Sequence, residues 1–125
     1  MESTPQRVPV LRGASAAIVA LESLALLVAG GIYVLRAVGG AAPADAALAL
    51  GAMALVTAAA LGVAAASLAR GHTWPRGLAI TWQLLQITAG VVLIEISTLW
   101  GIAAIAAGAV GVAVLVADAR ARPAY

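Results

Sequence analysis

Among the polar side chains that fall inside long apolar runs, four are where chemistry would have to occur: Glu22, Thr57, Gln83 and Gln86. Glu22 interrupts AIVALESLALLVAGG (Ala17 to Gly31), a stretch otherwise without charge. Gln83 and Gln86 are i,i+3 neighbours on one helix face, which Gly90 continues. At about 1.5 Å per residue, Glu22 lies roughly 13 Å in from Gly13, while Gln83 and Gln86 lie roughly 10 and 15 Å in from Arg76. Thr57, twelve residues after Asp45, also falls near mid-depth. The spacing predicts one inward cluster of Glu22, Gln83, Gln86 and Thr57.

An ionised carboxylate at that depth costs at least about 2.5 kcal/mol. Glu22 is therefore expected either to carry a proton or to be paired and hydrated in a cavity. No arginine shares its depth, and the available partners are neutral amides, which favours a protonatable acid. Such a group can carry a proton or accept a cation. Held between two glutamines it can equally act as interhelical glue, at about 0.6 to 2 kcal/mol per contact. The residues leave both readings open.

The elements that would position these groups are read from hydropathy. The chain is 64% apolar and 10% charged, far outside the soluble norm, with a mean hydropathy of +1.08. A bilayer core takes about 20 apolar residues per helix, and four segments qualify: 14–38, 45–69, 77–96 and 99–117. GGAAPAD (Gly39 to Asp45), RGHTWPRG (Arg70 to Gly77) and EISTLWG (Glu95 to Gly101) separate them. Such short connectors make sequence neighbours antiparallel neighbours in space. The fold class expected is all-α: a single polytopic membrane domain, an antiparallel bundle of four transmembrane helices. Asp45, after Pro43, suits the positive end of the second helix.

Arginine, the only basic residue type present, sets the expected topology. Arg7, Arg12, Arg70, Arg76, Arg120 and Arg122 flank one side of the spans and Arg36 alone the other, which predicts both termini in the cytoplasm. A cleaved signal peptide is the rival reading of span one, with Arg12 as its basic flank. The run is longer than a signal core and three spans follow, so a retained helix is expected. Trp74 and Trp100 fall at headgroup depth as interface anchors, with Tyr33 near the outer boundary. Trp82, inside span three, faces lipid or packs on a neighbouring helix. Glu95 and Arg36 share the outer depth and are the candidate outer ion pair.

Small residues supply the packing faces that helices in lipid rely on. Span two carries Ala54, Ala58, Gly62 and Ala66 at fourfold spacing, and span four carries Ala104 with Gly108 and Ala107 with Gly111. These faces suit helix packing within the chain, and also a homo-oligomer or a place in a larger membrane complex. The bilayer is the one certain partner expected. The pI of about 9.9 reflects arginines at helix ends, and without a basic face interleaved with aromatics no nucleic acid is expected as partner.

Cysteine is absent, which removes thiolate metal ligation, disulfides and thiol nucleophiles. His72, in a connector without a neighbouring carboxylate, gives no metal site. No H-E-x-x-H, G-x-S-x-G, P-loop or G-x-G-x-x-G pattern occurs. The expectation is a protein without enzymatic activity, metal or cofactor.

A four-span chain of this length with one acid inside span one resembles the small multidrug resistance transporters, whose glutamate in the first helix exchanges protons for a cationic drug. That resemblance implies this role for Glu22 and for no other residue here. The aromatic cluster expected around the acid from spans two and three is not recognisable, and an arginine bias of six to one implies a single orientation. RGASAAIVALESLALL and RGHTWPRGLAITWQLLQI are more similar to small four-span membrane proteins of unknown function common in actinobacteria. This second resemblance implies a bacterial inner membrane, which the alanine-rich, lysine-free composition also fits. Function is accordingly expected to be that of an accessory or assembly protein, or else of a small proton-coupled transporter or channel subunit with Glu22 as its titrating group.

Overall fold

Alanine and leucine dominate the four apolar runs and both favour the helix. In lipid a helix also satisfies all of its own backbone groups. The computed structural model describes residues 4–41 and 43–121, which form α1 (Thr4–Val38), α2 (Ala44–Ala69), α3 (Pro75–Leu93) and α4 (Thr98–Ala121). All four are long and apolar enough to cross a membrane. The bundle is all-α and up-down-up-down. The outer ends of α1 and α4 and the α2–α3 connector share one end, called here the terminal end; the α1–α2 and α3–α4 turns share the other, the hairpin end.

The helix bounds differ from the hydropathy limits where the chain leaves lipid. α1 begins at Thr4 and runs through Pro9, well before Ala14, and α4 continues to Ala121, because hydropathy marks the apolar stretch and not the end of backbone bonding. α3 stops at Leu93, since the reversal must be complete before Gly101, which packs on Gly90. Pro75 opens α3 at a position that has no helical acceptor to lose. Asp45 sits in the first turn of α2, where its Oδ1 accepts the Ala46 N–H at 2.9 Å. The first two connectors end their helices on left-handed glycines, Gly40 at φ +74° and Gly71 at φ +87°. After α2, the Gly71 and His72 amides return to the Leu68 and Ser67 carbonyls at 3.0 Å, capping carbonyls that the helix leaves free.

Packing within each hairpin depends on facing glycines. A Cβ on Gly30 would lie 3.1 Å from the Gly51 carbonyl oxygen, and one on Gly51 would lie 3.1 Å from that of Gly30. Gly90 and Gly101 are reciprocal in the same way, at 3.0 and 2.8 Å. Backbones in such contact gain the dispersion and weak C–H···O terms that drive helix association in lipid.

The two hairpins repeat one buried pattern. Gly51, Ala58, Leu61, Ala65 and Leu68 of α2 recur fifty residues later as Gly101, Gly108, Gly111, Leu115 and Asp118 of α4, all buried. Ser15, Val19 and Gly30 of α1 recur sixty residues later as Pro75, Ala79 and Gly90 of α3, also buried. This 7-3-4-3 spacing differs from the fourfold series predicted for span two. There Ala58 is buried, Ala54 and Gly62 are half-buried and Ala66 is exposed. A strict four-residue step turns by about 40° each time, so the series drifts off the contact face, whereas steps averaging close to the roughly 3.5 of a supercoiled seam follow it.

The hairpins share a core at the terminal end. Ala16 and Val19 of α1, Leu61, Ala64, Ala65 and Leu68 of α2, Ala79 of α3 and Leu115 of α4 form one buried cluster. Toward the hairpin end, buried Gly30, Ala37, Ala47 and Gly51 serve the first hairpin, and Gly90 and Gly101 the second. The bundle is thus closed at its terminal half and parted at the other.

Candidate functional site

The parting leaves a cleft of about 780 Å³, bounded by α1 and α4 with α3 behind. Its walls are almost wholly apolar, formed by Ala25 and Leu26 of α1, Leu85, Ala89 and Leu93 of α3, and Ala103 and Ala107 of α4. Glu22 and Gln86 reach it as polar groups, and two indoles, Trp82 and Trp100, line it as well.

Glu22 meets Gln83 at the level of the cleft floor. The Gln83 Nε2 donates to Glu22 Oε2 at 2.6 Å, so the depth match read from sequence brings these two side chains into contact. Gln83 is fully buried and reaches α1 across the bundle because Gly111 of α4 has no side chain: a Cβ there would overlap the Gln83 amide. The Trp82 indole N–H interacts with the same carboxyl without reaching hydrogen-bond geometry. Glu22 Oε1, Gln83 Oε1 and Trp82 Nε1 are buried atoms without a hydrogen-bond partner among the described residues. Each such group costs about 1–3 kcal/mol where water is excluded. Two acceptors and one donor left around a carboxyl mark a place built to accept a proton or a donor-bearing ligand.

The other residues of the predicted cluster are used elsewhere. Gln86 faces the cleft but donates to the Ala104 carbonyl at 3.2 Å, tying α3 to α4. The Thr57 hydroxyl donates to Met53 O at 2.8 Å within its own helix and does not join Glu22, the usual recourse of a threonine that finds no partner across a helix interface. Ser23, next to Glu22, takes the interhelical role on that side by donating to Ala58 O at 2.6 Å.

Arg36 and Glu95 are both exposed and form no ion pair with each other, because α1 and α3 are diagonal in the bundle and their hairpin ends diverge. Trp74 is 59% and Trp100 66% exposed. Trp74 thus presents its ring outward, whereas Trp100 also closes the hairpin end of the cleft. His72 is exposed in its connector.

Trp82, expected either to face lipid or to pack on a neighbouring helix, packs against the core and turns its N–H to Glu22. One residue of this region was not picked out from the sequence. Asp118 is fully buried at the terminal end, 3.8 Å from Arg76 Nε of α3. An acid in the last turn of a helix opposes the dipole, and that conflict with Arg76 at the matching end of α3 was the readable sign of a pair.

Comparison with known protein families, with curated proteins and with solved structures yields no match.

Proposed function

We propose that this chain is a non-enzymatic membrane protein that takes an apolar cation into the cleft between its hairpins, with Glu22 as the counter-charge that proton and ligand share. The observation that supports this is the cleft of about 780 Å³ that reaches a carboxyl with a buried, unpartnered oxygen. Pockets of this size hold drug-sized molecules, with apolar walls supplying affinity and a few polar groups the orientation. The ligand should be cationic because the carboxyl has no arginine near it, and flat or bulky and apolar because Trp82 and Trp100 offer aromatic faces worth about 0.5–2 kcal/mol each to a cation. Proton and cation compete for one carboxylate, so binding weakens as pH falls and the carboxyl becomes neutral.

Tetraphenylphosphonium, titrated against tryptophan fluorescence of the detergent-purified chain, tests this. Saturable quenching that weakens on acidification is the expected result. Quenching that is absent, or indifferent to pH, would leave the cleft as the seat of a partner protein's helix, in keeping with an accessory role.

The setting proposed is a bacterial inner membrane with the terminal end in the cytoplasm, supported by the six-to-one arginine distribution. A phosphatase and a fluorescent-protein reporter fused after Tyr125 check this: fluorescence without phosphatase activity is expected, and the reverse pattern would invert the assignment.

A further inference from the structure

Two carboxyl groups, the half-buried Glu22 and the fully buried Asp118, lie on either side of a single apolar layer, and the register of three helices fixes their separation. At the upper level are Glu22 of α1, Gln83 of α3 and Gly111 of α4, joined by the Glu22–Gln83 bond and the passage of Gln83 over Gly111. Seven residues toward the terminal end on each helix come Ser15, Arg76 and Asp118. Two helical turns place the levels about 10.5 Å apart. Ser15 and Asp118 are fully buried, the Ser15 hydroxyl has no hydrogen-bond partner among the described residues, and Arg76 Nε stands 3.8 Å from Asp118 Oδ2. Between the levels lie Val19, Ala79 and Leu115, each 0 or 1% exposed, with Ala65 of α2 completing the layer.

We propose that Val19, Ala79 and Leu115 form a gate through which Glu22 exchanges its proton with the terminal side, the Ser15–Arg76–Asp118 level being the entrance. This rests on the reading of Glu22 as an exchanging carboxyl and adds the route. The charges around it are few. Glu22 faces only neutral side chains from α3 and α4. Asp118 faces Arg76 from α3, and Arg12 of α1 lies at the same end against Gly71. In the closed form the buried side chains of this layer exclude water between the two levels. When the layer parts, water connects the levels and a proton from the terminal side adds to the Glu22 carboxylate, giving the neutral acid. Its loss toward the cleft restores the carboxylate, with one positive charge moved per cycle and no other bond changed.

Leu115 and Val19 are the side chains to change, since Ala79 is already small. The full chain is reconstituted in vesicles loaded with pyranine, a pH-sensitive dye, under a potassium–valinomycin potential. Leu115→Ser and Val19→Ser are made in parallel and scored in protein that keeps wild-type helix content. Either is expected to admit protons at least tenfold faster than wild type. Addition of Glu22→Gln is expected to return the rate to the wild-type level, and Asp118→Asn to slow it severalfold. A leak that survives Glu22→Gln, or no leak in either well-folded variant, overturns the gate. Tetraphenylphosphonium binding by the wild type together with no leak in the variants would remove the gate and leave the cleft reading standing. A Glu22-dependent leak without such binding would do the opposite.

Discussion

Glu22→Gln is expected to lower the affinity for tetraphenylphosphonium by at least about tenfold and to leave the residual binding independent of pH. The magnitude follows from the environment. Removing one partner of a desolvated charge pair costs about 2–5 kcal/mol, and each 1.4 kcal/mol is a factor of ten. The cleft wall is apolar but the cleft is open along its side, so the lower end of that range applies. The sign follows from competition: wild-type affinity is greatest where Glu22 is ionised and declines as it takes up a proton. Glutamine has the shape of the protonated acid, so the variant should sit on the acid limit of the wild-type curve at every pH. Gln83 retains a carbonyl oxygen to bond at residue 22, so the substitution should not disturb the hairpins. Unchanged affinity, or a surviving pH dependence, would move the counter-charge to another residue and remove the proposed function.

How much of this site was legible in the sequence depends on whether depth or rotation carried the information. Depth was legible. Counting residues from Gly13 and from Arg76 placed Glu22 and Gln83 at one level, and they bond there. Helix existence and connectivity were legible for the same reason, since hydropathy and short connectors report where the chain crosses lipid and where it turns.

Rotation about each helix axis was not. In a soluble bundle the apolar stripe marks the inward face, but lipid is as apolar as the core and no such contrast exists. Leu21, Leu85 and Met53 are largely exposed while Leu61, Leu68 and Leu115 are buried, and nothing in their chemistry distinguishes the two sets. Thr57 therefore looked like a member of the cluster when its face turns elsewhere, and Arg36 and Glu95 shared a level on helices that stand apart. The cleft was hidden for the same reason, its walls being alanine and leucine like the rest. What did carry rotation was the spacing of glycines. Gly101, Gly108 and Gly111 at seven and three, continued by Leu115 and Asp118 at four and three, trace a contact face that was readable without the structure and that runs directly to the buried acid.

The same spacing leads to the second large effect. Residues Gln83 and Gly111 occupy the places in the second hairpin that Ser23 and Leu61 occupy in the first, sixty and fifty residues earlier. One hairpin sets a small side chain on its first helix with a leucine on its second; the other sets a long side chain on its first with no side chain on its second. The Ser–Leu pair is the larger by one side-chain heavy atom, and only the Gln–Gly pair sends an amide to Glu22. Gly111→Leu alone is expected to be severe. Its Cβ would already overlap the Gln83 amide, and overpacking of a buried contact costs about 1–3 kcal/mol before the displaced amide loses its bond. The measurement is thermal unfolding in detergent followed by helix signal, where the single variant should melt well below wild type. Gln83→Ser with Gly111→Leu recreates the pair found in the first hairpin and should recover part of that loss, because shortening residue 83 removes the amide that the leucine would overlap. Recovery of fold should not restore the site. Glu22 would then have lost its amide donor, leaving a second buried oxygen unpaired, and tetraphenylphosphonium binding should shift in its pH response relative to wild type while the melting temperature partly returns. If the double variant melts no higher than Gly111→Leu, the two hairpins are not interchangeable at this level. Gln83 would then be held by something other than the absence of a side chain at residue 111.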